Sequence, residues 1–296
     1  MTEIPDAILI AGPTASGKSV FAIEQAEKYN GTIINADSMQ VYPILRIITA
    51  RPDDVDLAKV PHLLYGHASL EKSYSVAQWV RDAKLALDEV LMAGRTPIFV
   101  GGTGLYFKAL LEGLAEIPEI PGEIRQFWRD KSGEVDVTSL YATLQEKDPL
   151  AANALKPNDR QRILRALEVK QATGRSIVEY QAQNQPPILK MGNIKKYLVL
   201  PDRAVLHRRI ENRFDQMLDN GALDEVKALG KMEVFSDHPV LKAIGVPQLT
   251  NYLQKIVTLD EARIRCKAAT RQYAKRQSTW FRNQLGEDWE LIDKII

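Results

Sequence analysis

The sequence contains little of what several classes of protein require. Its 296 residues include one cysteine, Cys266, and four histidines, so the composition excludes an internal disulfide and argues against a zinc site built from Cys and His. No apolar run is long enough to span a membrane, and Met1 to Asp6 carries two acids where a leader peptide has positive charge. We therefore expect a cytoplasmic protein with no targeting segment and no membrane partner.

The charge balance is almost neutral. The formal net charge is +1, so a nucleic-acid partner would have to be bound by a local basic patch. With 45% hydrophobic and 26% charged residues, the composition is that of a globular protein and excludes disordered and fibrous classes. The length predicts two domains, or one large domain with an insertion.

Short apolar runs alternate with helical patterns in the first hundred residues. The runs are Ala7–Ala11, Thr32–Ala36 and Pro97–Val100, and the helical patterns cover about Lys18–Lys28 and Val76–Met92. Uninterrupted apolar runs are typical of strands buried on both faces of a parallel sheet. The alternation predicts an α/β fold with a P-loop NTPase-like parallel sheet core.

The pattern changes after Ile117, where two prolines and a glycine occur within Pro118–Gly122. From about 123 to 183 the periodicity is helical throughout, and Lys196–Leu200 resumes a strand-like run before amphipathic helices continue to about Leu285. We predict a first core segment at 1–117, an α-helical insertion domain at 118–187 and a second core segment at 188–296.

A phosphate-binding motif follows the first predicted strand. It matches G-x-x-x-x-G-K-[ST] and comprises Gly12, Pro13, Thr14, Ala15, Ser16, Gly17, Lys18 and Ser19. The glycines let successive N–H groups face a polyphosphate, Lys18 adds a point charge, and the Ser19 hydroxyl suits Mg²⁺. The motif predicts phosphate binding without selecting the phosphate compound.

Two further segments lie at predicted carboxyl ends of strands, where ligands bind in open α/β sheets. Asp37 could cap a helix starting at Ser38, hold Mg²⁺ through water, or act as a general base. The loop Gly101–Tyr106 would let a ligand approach closely and offers the Thr103 hydroxyl, but glycine-rich loops often only turn the chain.

Basic residues cluster in three places. Arg162 and Arg165 share one helical face, and one of Arg208, Arg209 and Arg213 could reach the phosphate site, although spacing does not select which. The segment 263–282 carries seven cations and no acid, with aromatic residues between them. Such a surface can track phosphates, or it can be a solvated helix face with aromatic anchors.

Together these segments resemble the bacterial tRNA dimethylallyltransferases, with motifs in the same order along nearly the whole chain. The resemblance rests on Gly12–Ser19, Asp37–Tyr42, Gly101–Tyr106, Asp159–Glu168, Arg213–Leu218, Ala243–Gly245 and Thr270–Gln277. That family transfers a dimethylallyl group from its diphosphate to N6 of the adenosine 3′-adjacent to the anticodon. The resemblance implies that this P-loop holds an isoprenoid diphosphate, where most P-loops hold ATP.

The resemblance also implies residue roles. Asp37 would be the general base, Arg213 and Thr14 would act on the diphosphate, Thr103 would lie by the target adenosine, and Mg²⁺ would be held near Ser19 and Asp37. The insertion would grip the anticodon stem-loop of tRNA, and we expect a monomer. The residues expected to contact tRNA are Asp37, Ser38, Met39, Gln40, Thr103, Arg125, Gln161, Arg162, Ile163, Leu164 and Arg165.

Two loops depart from the family's commonest pattern, at Pro43–Arg46 and at Val246-Pro247. Neither touches Asp37 or the P-loop, so they bear on substrate preference and leave the expected reaction intact. Three other functions remain open: prenyl transfer to free AMP, ADP or ATP, phosphorylation of a small metabolite or nucleoside by a P-loop kinase, and RNA binding without catalysis. The helical insertion favours tRNA over a free nucleotide, because a free-nucleotide enzyme needs no such arm.

Overall fold

The computed structural model describes residues 4–183, 185–189 and 192–294. The chain forms two compact units, one containing the residues up to Leu110 and those from Leu189 onward, the other containing Leu111–Ile188. Two predictions concern positions outside the described residues. They are the absence of a leader, which includes residues 1–3, and the end of the predicted insertion, which includes Asn184.

A six-stranded sheet forms the centre of the larger unit, and all of its strand pairs are parallel. Its strands are β1 (Ala7–Ala11), β2 (Gly31–Asn35), β3 (His62–Leu63), β4 (Thr96–Gly101), β5 (Ile194–Val199) and β6 (Glu290–Ile292), in the order β3-β2-β4-β1-β5-β6. The α/β prediction is confirmed. The edge strands β3 and β6 were not predicted, because two or three residues are too short to form a recognisable apolar run.

The helices in chain order are α1 (Lys18–Lys28), α2 (Asp54–Lys59), α3 (Val76–Met92), α4 (Gly104–Glu112), α5 (Gly122–Glu134), α6 (Val137–Lys147), α7 (Pro149–Ala154), α8 (Arg160–Thr173), α9 (Ile177–Gln181), α10 (Arg203–Asp219), α11 (Ala222–Leu229), α12 (Val246–Leu253) and α13 (Leu259–Gln284). A short 3₁₀ helix covers Pro239–Lys242. The helices expected at Lys18–Lys28 and Val76–Met92 are confirmed. Ser75 and Gln78 form a capping box that starts α3.

The register of the central strands brings three loops to one edge of the sheet. Ala11 of β1 lies opposite Gly101 of β4 and Leu198 of β5, while Asn35 of β2 lies opposite Val100. The loops that follow β1, β2 and β4 therefore begin side by side at the carboxyl edge. Every residue of these three strands is buried, as their apolar runs predicted.

The loop after β2 has no helix before α2, yet it is held firmly. Val41, Tyr42 and Leu45 are at most 1% exposed and pack in a cluster with residues of α10 to α13. The Glu225 carboxylate of α11 accepts the N–H groups of Ile47 at 2.7 Å and Ile48 at 3.0 Å. Burial and these charge-assisted bonds fix a segment that has no regular backbone pairing of its own.

The regular structure of the smaller unit is helical, as predicted, and consists mainly of α5 to α9. Its core includes Trp128, Leu140, Leu144, Ile163 and Leu167. Asp136, Asp148, Asp159 and Ser176 accept backbone N–H groups at helix starts, so each of these chain reversals begins with a capped helix.

Of the helices in the described ranges, none has an apolar stretch that would reach across a bilayer.

Candidate active site

The P-loop curls between β1 and α1 with the backbone geometry its sequence predicts. Gly17 has φ +97°, in the region that favours glycine, and a short turn is closed by the Ser16 N–H donating to the Pro13 carbonyl at 3.2 Å. The Lys18 ammonium donates back to the same carbonyl at 3.2 Å. The loop is therefore folded tightly over the amino end of α1, where anions are stabilised.

Two cations and one carboxylate interact beside this loop. Burial lowers the pKa of Lys18 to about 8, with the Asp37 carboxylate opposing that shift and the Arg213 guanidinium adding to it. Burial likewise lowers the pKa of Arg213 to about 10, again opposed by Asp37. Partly desolvated cations in excess over the nearby carboxylate make this a site for an anion.

Two arginines of α10 reach the P-loop. Arg213 Nη2 donates to Thr14 Oγ1, and Arg209 Nη1 donates to the Ser16 carbonyl at 2.8 Å. They lie four residues apart and so share one helix face, whereas Arg208 is exposed. Sequence spacing could not select which of the three arginines reaches the phosphate site, and in the structure Arg209 and Arg213 both do. The role of Arg209 as an anchor of the loop was not predicted.

Asp37 lies in a turn built by its neighbour Asn35. The fully buried Asn35 side chain accepts the Asp37 N–H at 2.9 Å and donates to the carbonyls of Asp37 and Leu64, each at 3.0 Å. Asp37 Oδ1 accepts the Met39 N–H at 2.9 Å. No helix begins at Ser38, so the helix-cap alternative for Asp37 is wrong. Asn35 was missed, although a lone amide ending an apolar strand was the available signal.

The glycine-rich loop after β4 contacts the Asp37 turn directly. Thr103 Oγ1 accepts the Ser38 N–H at 2.9 Å and donates to Ser38 Oγ at 3.3 Å. A Cβ on Gly102 would lie 3.2 Å from Asp37 Oδ2, so glycine allows the close approach. The loop therefore does more than turn the chain, because the Thr103 hydroxyl holds the Asp37 turn at Ser38.

Neutral phenols surround the carboxylate. Burial raises the pKa of Tyr65, Tyr106 and Tyr273, and the Asp37 charge raises each of them further. Tyr106 also stacks on Trp79, with ring centroids 4.0 Å apart, and the Trp79 indole donates to the Asn35 carbonyl at 2.9 Å. The negative charge of Asp37 and the burial of these phenols therefore favour their neutral form.

The remaining residues of the Asp37 loop are partly committed to the fold. Both amide protons of Gln40 are donated to backbone carbonyls, those of Thr49 at 2.9 Å and Ala50 at 2.8 Å. Met39 packs against the cluster of Val41 and Tyr42. The side chains of Gln40 and Met39 are therefore engaged within the protein, and the Ser38 hydroxyl has Thr103 as a partner.

The basic surface of α13 is divided in two. Arg263 and Lys267 pair with Asp215 of α10, and Arg271 pairs with Glu211 at 3.0 Å. Lys275, Arg276 and Arg282 make no ion pair with any carboxylate in the described ranges. A cleft of about 550 Å³ runs along this second half and is lined by Gln272, Lys275, Arg276, Thr279, Trp280, Asn283 and Gln284.

A second cleft, of about 570 Å³, reaches Arg213 from the side of the Asp37 loop. Its lining includes two more cations, Arg46 and Arg51, two acids, Asp53 and Glu225, and the apolar side chain of Met217. Arg51 Nη1 also donates to the Tyr42 carbonyl at 2.9 Å, so this cation is held against the loop. The buried Arg213 is therefore accessible from a cleft of mixed charge.

In the smaller unit, the predicted contact residues lie on α5 and α8. Gln161 is exposed, Arg162 pairs with Asp159 at 3.3 Å, Arg165 pairs with Glu168 at 3.4 Å, and Arg125 is half-buried. Ile163 is fully buried in that unit's core and Leu164 packs against the core. The Ile163 side chain therefore presents no surface, and the contact of this residue with tRNA stays a prediction.

The parallel sheet, its P-loop and the polar cluster at its carboxyl edge define a P-loop NTPase-like α/β protein. The IPP transferase family matches residues 40–284, and the chain belongs to that family. It is 50% identical to a tRNA dimethylallyltransferase of Rhizobium etli, over 99% of this chain and 98% of that one, and 51% identical to one from a Chelativorans species, over 96% and 97%.

Two solved structures share the fold. The first is described as a eukaryotic dimethylallyltransferase acting on tRNA, with a TM-score of 0.80 at 30% identity over 97% of this chain and 73% of that one. The second is a tRNA isopentenylpyrophosphate transferase from Bacillus halodurans, with a TM-score of 0.68 at 35% identity over 97% and 89%. The P-loop NTPase-like fold is thereby confirmed.

The buried ammonium of Lys18 generates a testable stability difference. The unfolded chain keeps a lysine pKa near 10.5 while the folded value is about 8, so between these pH values the unfolded state binds more protons. The contribution of Lys18 to the free energy of unfolding therefore rises with pH across this interval. Without ligand, Lys18→Met should be more stable than the wild type at pH 7, and the difference should shrink by pH 10.

Urea denaturation at the two pH values measures this difference, and Lys84→Met, an exposed change on α3, is the matched control. If the free energy of unfolding of the wild type exceeds that of Lys18→Met by the same amount at both pH values, the ammonium stabilises the fold and the prediction is wrong.

Proposed function

We propose that the protein transfers a dimethylallyl group from dimethylallyl diphosphate to N6 of the adenosine 3′-adjacent to the anticodon of a tRNA, releasing diphosphate. The observation that carries the proposal is the meeting of Asp37 with Lys18 and Arg213 at the P-loop. A carboxylate opposite an anion site suits a reaction in which an anion leaves and a proton is removed. Membership of the IPP transferase family supports the same reaction.

The first half of the chemistry is loss of the diphosphate. The bond between the allylic carbon and the diphosphate oxygen breaks, and its electron pair stays with the leaving group. Lys18, Arg213 and the P-loop N–H groups stabilise that negative charge where it develops. Arg213 is already held on Thr14, so little reorganisation is needed on binding.

The second half is capture of the allylic carbon by the adenine amine. N6 forms the new bond to carbon and gives up a proton, which we assign to Asp37. The Asn35 side chain fixes the backbone of Asp37, and the Met39 N–H donates to the Asp37 carboxylate. Thr103 accepts the Ser38 N–H of the same turn, and we propose that its hydroxyl contacts the nucleoside. A positioned base of this kind contributes about 10²–10⁴-fold to the rate.

We further propose that the reaction depends on Mg²⁺. No cluster of three or more His, Cys, Asp or Glu side chains that could hold a metal lies within the described ranges. Mg²⁺ needs no such cluster when substrate phosphates supply oxygens, and the Ser19 hydroxyl and Asp37 carboxylate are the hard oxygen donors it prefers. Bound there, it would neutralise the diphosphate charge.

We assign tRNA contacts to both units. In the larger unit these are Asp37, Ser38, Thr103 and the free cations of α13, where Trp280 offers an aromatic surface beside phosphate-binding groups. In the smaller unit the exposed Gln161 and Arg162 at the amino end of α8, with Arg125, Leu164 and Arg165, present a polar surface for the anticodon stem-loop. We propose that the protein works as a cytoplasmic monomer.

The proposal is tested by offering labelled dimethylallyl diphosphate and Mg²⁺ to the purified protein with unmodified tRNA, or with AMP, ADP or ATP. Label in tRNA alone is the expected result, followed by location of the modified nucleoside. Label in a free nucleotide would overturn the tRNA assignment. Hydrolysis of ATP or movement of its γ-phosphate, without prenyl transfer, would favour a kinase.

Replacing the proposed base tests its role. Asp37→Asn keeps an oxygen that can accept the Met39 N–H, so the turn is preserved while the base is removed. We expect kcat to fall by about 10²–10⁴-fold with tRNA affinity changed less than about twofold. The control is Asp54→Asn, a carboxylate that is 87% exposed on α2. An unchanged kcat in Asp37→Asn would remove Asp37 from the mechanism.

The divided surface of α13 generates a second prediction. Lys275→Ala with Arg276→Ala should weaken tRNA binding and flatten its salt dependence, by about 0.7 in the logarithmic slope for each phosphate that is no longer neutralised. Arg263→Ala with Arg271→Ala removes the same charge from the same helix, but these cations are paired within the protein, so the slope should change less. Slopes equal to that of the wild type in both double variants would show that the whole helix face is solvated.

A further inference from the structure

One buried amide on α13 joins the two loops of the site. Gln277 is 6% exposed, and its side chain accepts the Thr14 N–H at 2.9 Å and donates to the Gly102 carbonyl at 2.8 Å. Thr14 belongs to the P-loop, and Gly102 precedes Thr103 in the loop that follows β4. A single side chain thus connects the anion-binding loop with the loop that contacts the Asp37 turn.

Gln277 accepts one of these hydrogen bonds and donates the other, and a side-chain amide can do both. An uncharged amide offers a donor and an acceptor at a fixed separation, whereas an aliphatic side chain of the same length offers neither. A carboxylate would accept the Thr14 N–H but would face the Gly102 carbonyl with a second acceptor. Gln277 and Asp37 both lie close to Gly102, since a Cβ built on that glycine would be 2.3 Å from Gln277 Nε2 and 3.2 Å from Asp37 Oδ2. A carboxylate in place of the amide would therefore add a second negative charge near Asp37.

The amide is itself held rigidly. Its helix packs through the buried Ala274, Ser278 and Phe281, and a Cβ on Gly104 would lie 2.2 Å from the Trp280 ring. Gly104 therefore rests against α13 one turn away from Gln277. Since a buried bond to a rigid helix fixes both loops at once, small rearrangements of one loop relative to the other are suppressed.

We propose that Gln277 is a positioning residue that sets the distance between the allylic carbon and the accepting amine. The inference rests on the proposed function, because Thr14 then lies at the diphosphate and Thr103 at the target adenosine. This role requires no contact of Gln277 with either substrate. Gln277 acts through the Thr14 amide on one side and the Gly102 carbonyl on the other.

The consequence is a choice between two acceptors of the allylic carbon. When the two loops are correctly spaced, the N6 amine forms the new bond and its proton passes to Asp37. When the loops move apart, a water oxygen forms that bond instead, the water proton passes to Asp37, and the products are dimethylallyl alcohol and diphosphate. The ratio of alcohol to prenylated tRNA therefore reports how well the two loops are positioned.

The test compares this ratio in the wild type, Gln277→Met and Gln277→Glu, at saturating labelled dimethylallyl diphosphate and tRNA. Gln277→Met removes both bonds, and Gln277→Glu keeps an acceptor for Thr14 while removing the donor to Gly102. We expect the ratio to rise at least about tenfold in Gln277→Met, with kcat for transfer reduced and the KM for tRNA little changed. The ratio should rise in Gln277→Glu as well.

Ser278→Ala is the matched control. The adjacent Ser278 hydroxyl donates to the Ala274 carbonyl at 2.8 Å within α13 and contacts neither loop, so its removal should reduce stability and leave the ratio unchanged. Because the ratio is independent of how much protein is folded, a merely structural role for Gln277 would not move it. Unchanged ratios in both Gln277 variants would overturn the inference, whereas a wild type that transfers nothing to tRNA would overturn the proposed function instead.

Discussion

The burial of two cations beside one carboxylate is the constraint on which the rest of this structure depends. Lys18 and Arg213 are partly withdrawn from water, and their pKa values are lowered because desolvation outweighs the attraction of Asp37. Such an arrangement costs free energy in the absence of an anion. The packing of α10 on the P-loop and the hydrogen bonds of Asn35 hold the charges there.

Much of the core could be predicted from the sequence. Uninterrupted apolar runs identify β1, β2 and β4. The motif Gly12–Ser19 binds phosphate when it lies between a strand and a helix, and the sequence predicts both of these neighbours. Asp37 and Thr103 could be placed at the same sheet edge, because parallel strands present their carboxyl ends together. The helical character of the second unit followed from periodicity, and its predicted extent, 118–187, followed from the prolines after Ile117 and the strand-like run at Lys196–Leu200.

What sequence reasoning missed are residues whose role depends on distant partners. Arg209, Asn35 and Gln277 act through backbone groups, and a backbone carbonyl or N–H leaves no trace in a sequence pattern. The pairing of Arg263, Lys267 and Arg271 with acids of α10 is likewise invisible until two helices are packed together. The sequence therefore predicts one basic surface on α13, whereas in the structure three of its cations are paired with acids of α10.

The Glu225 bonds to the loop at Ile47 and Ile48 have a consequence for biosynthesis. Glu225 is synthesised long after the loop that it fixes, and the same holds for Arg213 and Gln277 relative to the P-loop. A nascent chain that has emerged only through β4 has the phosphate motif without the groups that complete it. The groups around the P-loop therefore come together only after Gln277 has left the ribosome, so a shorter nascent chain lacks the contacts that hold these loops.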